Sequence, residues 1–433
     1  MSAVPQDGDF KKEEYKLQRE HELRFEVEGN EKVVLRLKNG LAEMFGTELM
    51  KNRAYTFHAG SKVAVYSCHG CSVELEGNPE VAYVAKETPM TFYLNIHGLL
   101  EQERDRAASI GDRGPVVLVC GPGDVGKSTL TRILCNYAVR AQRTPLLADL
   151  DVGQGCMSVP GTIGLNVIER QADVESGFSE VAPLIFHFGY QNPAGNINLY
   201  NLIVSKAANA MCAKYDADRK VKTSGCIINT CGWVTGAGFR ALVNAIRAFE
   251  VAVVLVLDQE RLYNELTREM PDFVKVVFVP KSGGVVVRSK QYRTEARDAR
   301  IREYFYGTPL KTATTRFYPH SFDVPFAQMK IFKIGAPAVP NSCLPIGMKA
   351  DDNQTKLTPI TAIHQLVKHQ LLSMSTCSIA EKHHAVESNI QGVICVTDID
   401  LEAGMVTILS PQPRPLPTDC VFLTSEVQFM DSA

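Results

Sequence analysis

With 433 residues the chain has room for about three domains at roughly 150 residues each. Its 45% hydrophobic and 22% charged residues are ordinary for a soluble globular protein. Lys and Arg (46) nearly cancel Asp and Glu (48), which excludes a global field that gathers a polyanion, so any nucleic-acid site must be a local basic patch. The N-terminus MSAVPQDGDFKKEEYK lacks the apolar core of a signal peptide, and no apolar run approaches the roughly 20 residues of a bilayer span. The expectation is a soluble intracellular protein with no membrane partner. Twelve cysteines follow no repeating spacing, and Cys120, Cys135, Cys226 and Cys395 fall in apolar segments, as reduced buried thiols do. One CxxC, Cys68-His-Gly-Cys71, has no second ligand pair nearby to complete a zinc site and reads as a turn between strands.

From Leu23 to Val84, LRFEV, VVLRL, KVAVYS, SVELEG and EVAYVA read as short strands separated by turn signals, predicting an N-terminal β-sandwich over residues 1–105. The charged stretch Glu101 to Gly114 leads into a second regime over residues 106–311. There PVVLVC, TPLLADLD, GCIINTC, VAVVLVLD and VKVVFVP alternate with helical segments. Near-continuous Val, Ile and Leu strands interleaved with helices predict an α/β domain whose parallel sheet is covered on both faces, doubly wound. Residues 312–433 change again. KIFKIG, GVICVTDID, MVTILS and CVFLTSEVQF read as strands broken by Pro-rich turns, with one amphipathic helix near TAIHQLVKHQLLSM, a β-rich third domain.

GPGDVGKST, Gly121 to Thr129, matches G-x-x-x-x-G-K-[ST] between a strand and a helix, the context that a phosphate loop requires. Gly121, Gly123, Asp124, Val125 and Gly126 would cradle phosphates with backbone N–H groups at a helix start. Lys127 would reach the β- and γ-phosphates, and Ser128, beside Thr129, would help hold Mg²⁺. The next strand ends ADLDVGQG. Asp149 and Asp151 are two apart, so on a strand they share a face beside the loop. Asp151 suits the role of orienting an attacking hydroxyl. Asp149 is either a second Mg²⁺ ligand or a turn acceptor.

Trp233, in Thr230-Cys-Gly-Trp, is the only tryptophan and follows a strand end, where it is either core or a face for stacking on a base. Arg288, Arg293 and Arg297 lie in an arginine-rich run after the last core strand, read either as a solvated helix or as a lid that meets phosphates. The chain lacks [NT]KxD after VAVVLVLD, against a guanine-nucleotide switch, and lacks the H-R-D and D-F-G signatures of protein kinases, which leaves ATP.

GPGDVGKST, DLDVGQG, INTCGW, LDQERLYNEL, PKSGGVVVRSK and ARIREYFYG together resemble the eukaryotic polyribonucleotide 5′-hydroxyl kinases, metazoan branch, which double as a subunit of the pre-mRNA 3′-end cleavage machinery. The likeness extends to ELRFEV and KVAVYSCHGCSVELEG at one end and to GAPAVPNSCLPIGM and PRPLP at the other. It implies transfer of the ATP γ-phosphate to an RNA 5′-hydroxyl and a three-domain build. It also implies a nuclear location and association with pre-mRNA cleavage and tRNA splicing endonuclease subunits. It assigns Lys127, Ser128 and Thr129 to phosphates and Mg²⁺, Asp151 to the nucleophile, and Gln154, Thr230 and Trp233 to the RNA end. Arg288, Arg293 and Arg297 become the lid, and Glu22 and Lys62 nucleotide contacts. The residues alone would make those last two a solvated strand residue and a surface lysine. One departure is a longer link, GTPLKTATTRFYP. The rival reading is an ATP-locked scaffold without catalysis, which fungal relatives exemplify. A DNA or nucleoside kinase is a third, since a 2′-hydroxyl contact has no sequence signature.

Overall fold

The structure, a computed structural model, describes residues 11–29, 31–179, 182–307, 316–335 and 354–430. The link GTPLKTATTRFYP and the segment GAPAVPNSCLPIGM fall largely outside the described residues.

The N-terminal region is a β-sandwich. One sheet runs Lys12–Leu17, Cys71–Glu76, Lys32–Gly40, Ala54–His58, and the other places His21–Glu26 between Lys62–Ser67 and Val81–Ala85. Period-two alternation drives it: Val33, Leu35 and Leu37 point inward beside Val73 and Leu75, while Lys32, Val34 and Arg36 are less buried. The CxxC segment is the turn that joins Lys62–Ser67 to Cys71–Glu76. Among the described residues no His, Cys, Asp and Glu group could hold a metal ion, and the cysteines carry no disulfide.

The charged passage before the phosphate loop belongs to a helix, Met90–Ile110, which sequence reading did not find. Its inward face carries Met90, Tyr93, Ile96, Leu100, Arg104 and Ala107 at helical spacing. The EQERDR run hides that period because Arg104 is an inward residue. Its guanidinium bonds the Ser224 carbonyl at 2.9 Å and Glu101 at 2.5 Å, the pairing that a buried charge requires.

In the central region five parallel strands lie in the order Lys275–Val279, Val253–Leu257, Val116–Cys120, Cys226–Asn229, Leu146–Asp149. Leu118 and Cys120 pack against the helices Ile197–Ala217 and Ala237–Ala248, while Val117 and Val119 pack against Met90–Ile110 and Lys127–Arg140. Both faces are thus covered, as the apolar runs predicted. Two further strands, Thr162–Val167 and Leu184–His187, continue the sheet antiparallel, and Ile185 pairs with Ile390. The C-terminal strands therefore extend the same hydrogen-bonded sheet.

The helix expected near TAIHQLVKHQLLSM does not form. That segment is a short 3-10 turn, Ile363–Gln365, followed by the strand Gln370–Ser375, which pairs with Asn389–Asp400 on one side and Val421–Gln428 on the other. A strand inside a sheet and buried on both faces presents a continuous apolar run, which periodicity does not separate from a buried helix. No helix of the described residues is long and apolar enough to cross a membrane.

Candidate functional site

The strand Val116–Cys120 is fully buried and ends where strand order reverses, so the loop that follows opens at the carboxyl edge of the sheet. Gly126 closes the loop with φ of 94°, a left-handed conformation that glycine adopts without strain, and the helix Lys127–Arg140 begins there. Unpaired N–H groups of that first turn face the loop. The Lys127 ammonium rests on the Pro122 carbonyl at 2.6 Å. Burial pushes its pKa down, and the nearby Asp151 charge offsets part of that.

A cleft of about 790 Å³ lies over this loop. Of the predicted residues, Glu22, Lys62, Gly123, Asp124, Val125, Gly126, Lys127, Ser128, Thr129, Asp151, Gln154, Trp233, Arg288, Arg293 and Arg297 all line it. Gly121, Asp149 and Thr230 do not. Thr230 is interior, its hydroxyl donating to the Val119 carbonyl at 2.8 Å, so it fixes the turn and does not line the cleft. That turn abuts the phosphate loop: a Cβ on Gly232 would stand 2.6 Å from the Gly123 nitrogen. Trp233 is half-buried and outside the core clusters, which removes the core reading of this tryptophan.

The two carboxylates differ in environment. Asp149 is buried and accepts three hydrogen bonds, from Asp151 N at 3.1 Å, Asn229 Nδ2 at 3.0 Å and Cys156 N at 2.8 Å. It is a turn acceptor. Burial, with the Asp151 charge second, pushes its carboxyl above the usual carboxylate range. Asp151 opens to the cleft, and its Oδ1 accepts the Gly153 and Gln154 N–H groups at 3.0 and 3.1 Å, which pins the carboxylate.

Sequence reading missed Asn229. Its amide donates to Asp149 and lies 3.4 Å from the Ser128 hydroxyl, while its Oδ1 is buried with no partner. The signal was its place at the carboxyl end of the strand beside the loop. Ser128 and Asp151 both line the cleft and offer the hard oxygen atoms that suit Mg²⁺ with several waters retained, whereas Asn229 lies behind them and does not line it.

The arginine run is the helix Lys290–Tyr306, capped by Ser289, whose side chain accepts from Tyr292 N at 3.0 Å. Arg293 Nη2 pairs with Asp124 Oδ2 at 2.6 Å, and the Arg288 N–H reaches the same oxygen at 3.0 Å. Burial raises the Asp124 pKa, but the Arg288 N–H and the Arg293 guanidinium outweigh it and hold the carboxyl below its usual range. Among the described residues Arg297 bonds Thr294 of its own helix, at 3.0 Å. The helix is a roof over the phosphate loop and not a solvated charge run.

From the sandwich, Lys62 pairs with Glu26 at 2.6 Å at the cleft wall. Glu22 is only 5% exposed and pairs with Arg24 at 2.7 Å, so the reading of a solvated strand residue is corrected. Arg24, 7% exposed, is a second cleft residue that sequence reading missed. The pattern Glu-x-Arg on a strand puts opposite charges on one face, but an exposed pair would look the same.

A phosphate loop at the reversal point of a parallel sheet, with an arginine helix resting on the loop itself, defines a phosphate-loop nucleotide-binding protein built for phosphate chemistry. Three family models match in chain order: the N-terminal beta-sandwich domain of polyadenylation factor over residues 16–107, the mRNA cleavage and polyadenylation factor CLP1 P-loop over 121–307, and Pre-mRNA cleavage complex II protein Clp1 over 317–431. The chain belongs to the Clp1 family. It is 55% identical over 417 residues to the polyribonucleotide 5′-hydroxyl-kinase Clp1 of Homo sapiens, covering 96% of each. It is 54% identical over 426 residues to the kinase of the same name from Gallus gallus, covering 98% of each, and 53% identical over 420 residues to the CLP1 homolog of Culex quinquefasciatus, covering 97% of each. Clp1p solved in complex with Pcf11p shares the fold, with a TM-score of 0.82 at 22% identity over 98% of this chain and 100% of that one.

Proposed function

We propose that the chain is an ATP-dependent RNA 5′-hydroxyl kinase of the pre-mRNA cleavage machinery. The observation that carries this reading is the cleft in which the phosphate loop, Asp151, Trp233 and the three lid arginines converge. A nucleotide scaffold needs only the first of these.

In this reading the phosphate-loop N–H groups and Lys127 hold the ATP phosphates, and Lys127 exchanges its Pro122 contact for phosphate oxygens. Trp233 offers a ring face to the terminal base of the RNA. Asp151, pinned through Oδ1, has Oδ2 to orient the 5′-hydroxyl in line with the γ-phosphate and to accept its proton. Arg288, Arg293 and Arg297 neutralise charge on the transferring group. Ser128, with Asp151 in the same cleft, would hold Mg²⁺, which would supply further charge neutralisation. Little covalent chemistry falls to the protein, so positioning and electrostatics carry the rate.

Family descriptions that name pre-mRNA cleavage and polyadenylation support the processing role. The human relative's name supports RNA as acceptor. Association with cleavage factors such as the Pcf11p of the solved relative, with tRNA splicing endonuclease, and a nuclear location complete the proposal.

The test is transfer of labelled phosphate from ATP to matched 5′-hydroxyl RNA and DNA oligomers, wild type beside Lys127→Ala. The expected result is transfer to RNA by the wild type alone. No transfer with intact ATP binding supports the scaffold, and equal transfer to DNA removes the RNA preference.

A further inference from the structure

The strand His21–Glu26 delivers Glu22 and Arg24 to one face, at the cleft. Both are nearly buried, and ion pairs so deep contribute little net stability, because desolvation offsets attraction. Such a pair is more informative about geometry. Among its contacts, Arg24 donates from Nε to Glu22 Oε2 at 2.8 Å, and its Nη2 stands 2.7 Å from that same oxygen as an ion pair. Nη2 also donates to the Glu87 carbonyl at 3.2 Å and to Ser282 Oγ at 3.3 Å. The last of these crosses from the sandwich to the loop that precedes the lid helix.

That loop is shaped to Arg24. A Cβ on Gly284 would stand 2.8 Å from Arg24 Cδ and 2.9 Å from Nε, and one on Gly283 would stand 3.2 Å from Nη1. The glycines let the loop backbone lie along the arginine stem. Ser282 Oγ also accepts the Gly284 N–H at 3.2 Å, which curls the loop around the contact. Directly after it, Val285 touches the phosphate loop, within 3.3 Å of a Cβ position on Gly126. Three residues further, the Arg288 N–H and then Arg293 hold Asp124. Two more contacts join the same regions: Tyr93 donates to the Pro280 carbonyl at 3.2 Å, and Tyr292 to the Gly60 carbonyl at 3.3 Å.

We propose that Arg24 is a positioning residue for phosphoryl transfer: by fixing the Ser282–Gly284 segment it sets the register of the lid arginines over the phosphate loop. The sandwich is thereby part of the lid's support as well as a wall of the nucleotide cleft. The inference rests on the kinase reading above. Because a displacement of about 1 Å can cost about 100-fold in rate, a loosened loop lowers kcat more than it raises KM for ATP.

The experiment is a double-mutant cycle on the full chain with Arg24→Ala, Gly284→Ala and the pair, measuring kcat and KM for ATP with a 5′-hydroxyl oligoribonucleotide, per ATP-binding site. Gly284→Ala forces a methyl group into the arginine stem. We expect each single change to lower kcat by about 10- to 100-fold, and the pair to be no worse than Arg24→Ala alone, since the three atoms nearest that methyl group all belong to the arginine side chain beyond its Cβ. Arg24→Lys keeps the charge without the fork and is expected to recover little of the rate. Ser282→Ala leaves Glu22 paired and keeps the test open if Arg24→Ala does not fold; it is expected to lower kcat by about 3- to 10-fold with KM for ATP unchanged. Multiplicative effects in the cycle, or an unchanged kcat in Ser282→Ala, overturn the proposal. A wild type that transfers no phosphate overturns instead the kinase reading.

Discussion

Asn229 uses one arm of its amide and leaves the other idle. Its Nδ2 steadies the buried Asp149, which needs that donor because its carboxylate is out of water. Its Oδ1 has no partner among the described residues, and its Nδ2 lies 3.4 Å from the hydroxyl of Ser128, the proposed Mg²⁺ ligand. Asn229→Ala is expected to lower stability by about 1–3 kcal/mol in chemical denaturation and to raise the Mg²⁺ concentration needed for tight ATP binding. Unchanged Mg²⁺ dependence would restrict Asn229 to supporting Asp149. Asp124 presents a second residue-scale test. Its folded pKa lies below the ordinary value of 3.8, so its contribution is complete at neutral pH and is lost only as pH falls through the lowered value. Lid docking should therefore not titrate between about pH 5 and 9. In wild type, protease cleavage within the lid should rise only in strong acid, whereas Asp124→Asn should show it at pH 7.

At the scale of elements, the lid helix is held unequally at its two ends. Its base is packed: Phe305 is buried and stacks on Phe429 with centroids 5.9 Å apart, and the Tyr304 hydroxyl accepts Val393 N at 2.9 Å. Its tip is held by polar contacts to Asp124 and Gly60, which phosphates can replace. The helix is thus packed on the C-terminal strands at its base and held by polar contacts at the phosphate loop. Phe429→Ala removes the stacked ring under the base and should destabilise the protein by about 3–5 kcal/mol, read from the denaturation midpoint. A loss below 1 kcal/mol would mean that the base is not a fixed anchor. The arginine run was legible in the sequence as either a solvated helix or a lid. Its docking was not, because a solvated helix has the same charges; the distinguishing buried residues, Ile301 and Phe305, sit at the far end.

Over the whole molecule, one sheet joins the central and C-terminal strands through Ile185 and Ile390, and the lid helix touches all three regions. The net charge of −2 gives no long-range attraction for RNA, so on the proposed kinase reading binding would depend on the local lid cations. Three such contacts predict a slope of about −2 in log affinity against log salt, at roughly −0.7 per neutralised phosphate of a single strand. A slope several times steeper, measured by titrating an oligoribonucleotide at several salt concentrations, would show a larger basic surface than the cleft.

The sequence by itself determined what local rules govern. Alternation specified the sandwich strands, continuous apolar runs the parallel sheet, and GPGDVGKST the phosphate loop, because period and steric freedom are properties of a few neighbouring residues. Tertiary structure decided what depends on partners far along the chain. Gln370–Ser375 became a strand because two strands flank it, Arg104 turned inward because Glu101 and the Ser224 carbonyl receive it, and Thr230 turned away from the cleft to bond Val119. Arg24 is the fullest case. Nothing near it in sequence announces a role, and its meaning comes from glycines 259 and 260 residues away that make room for it.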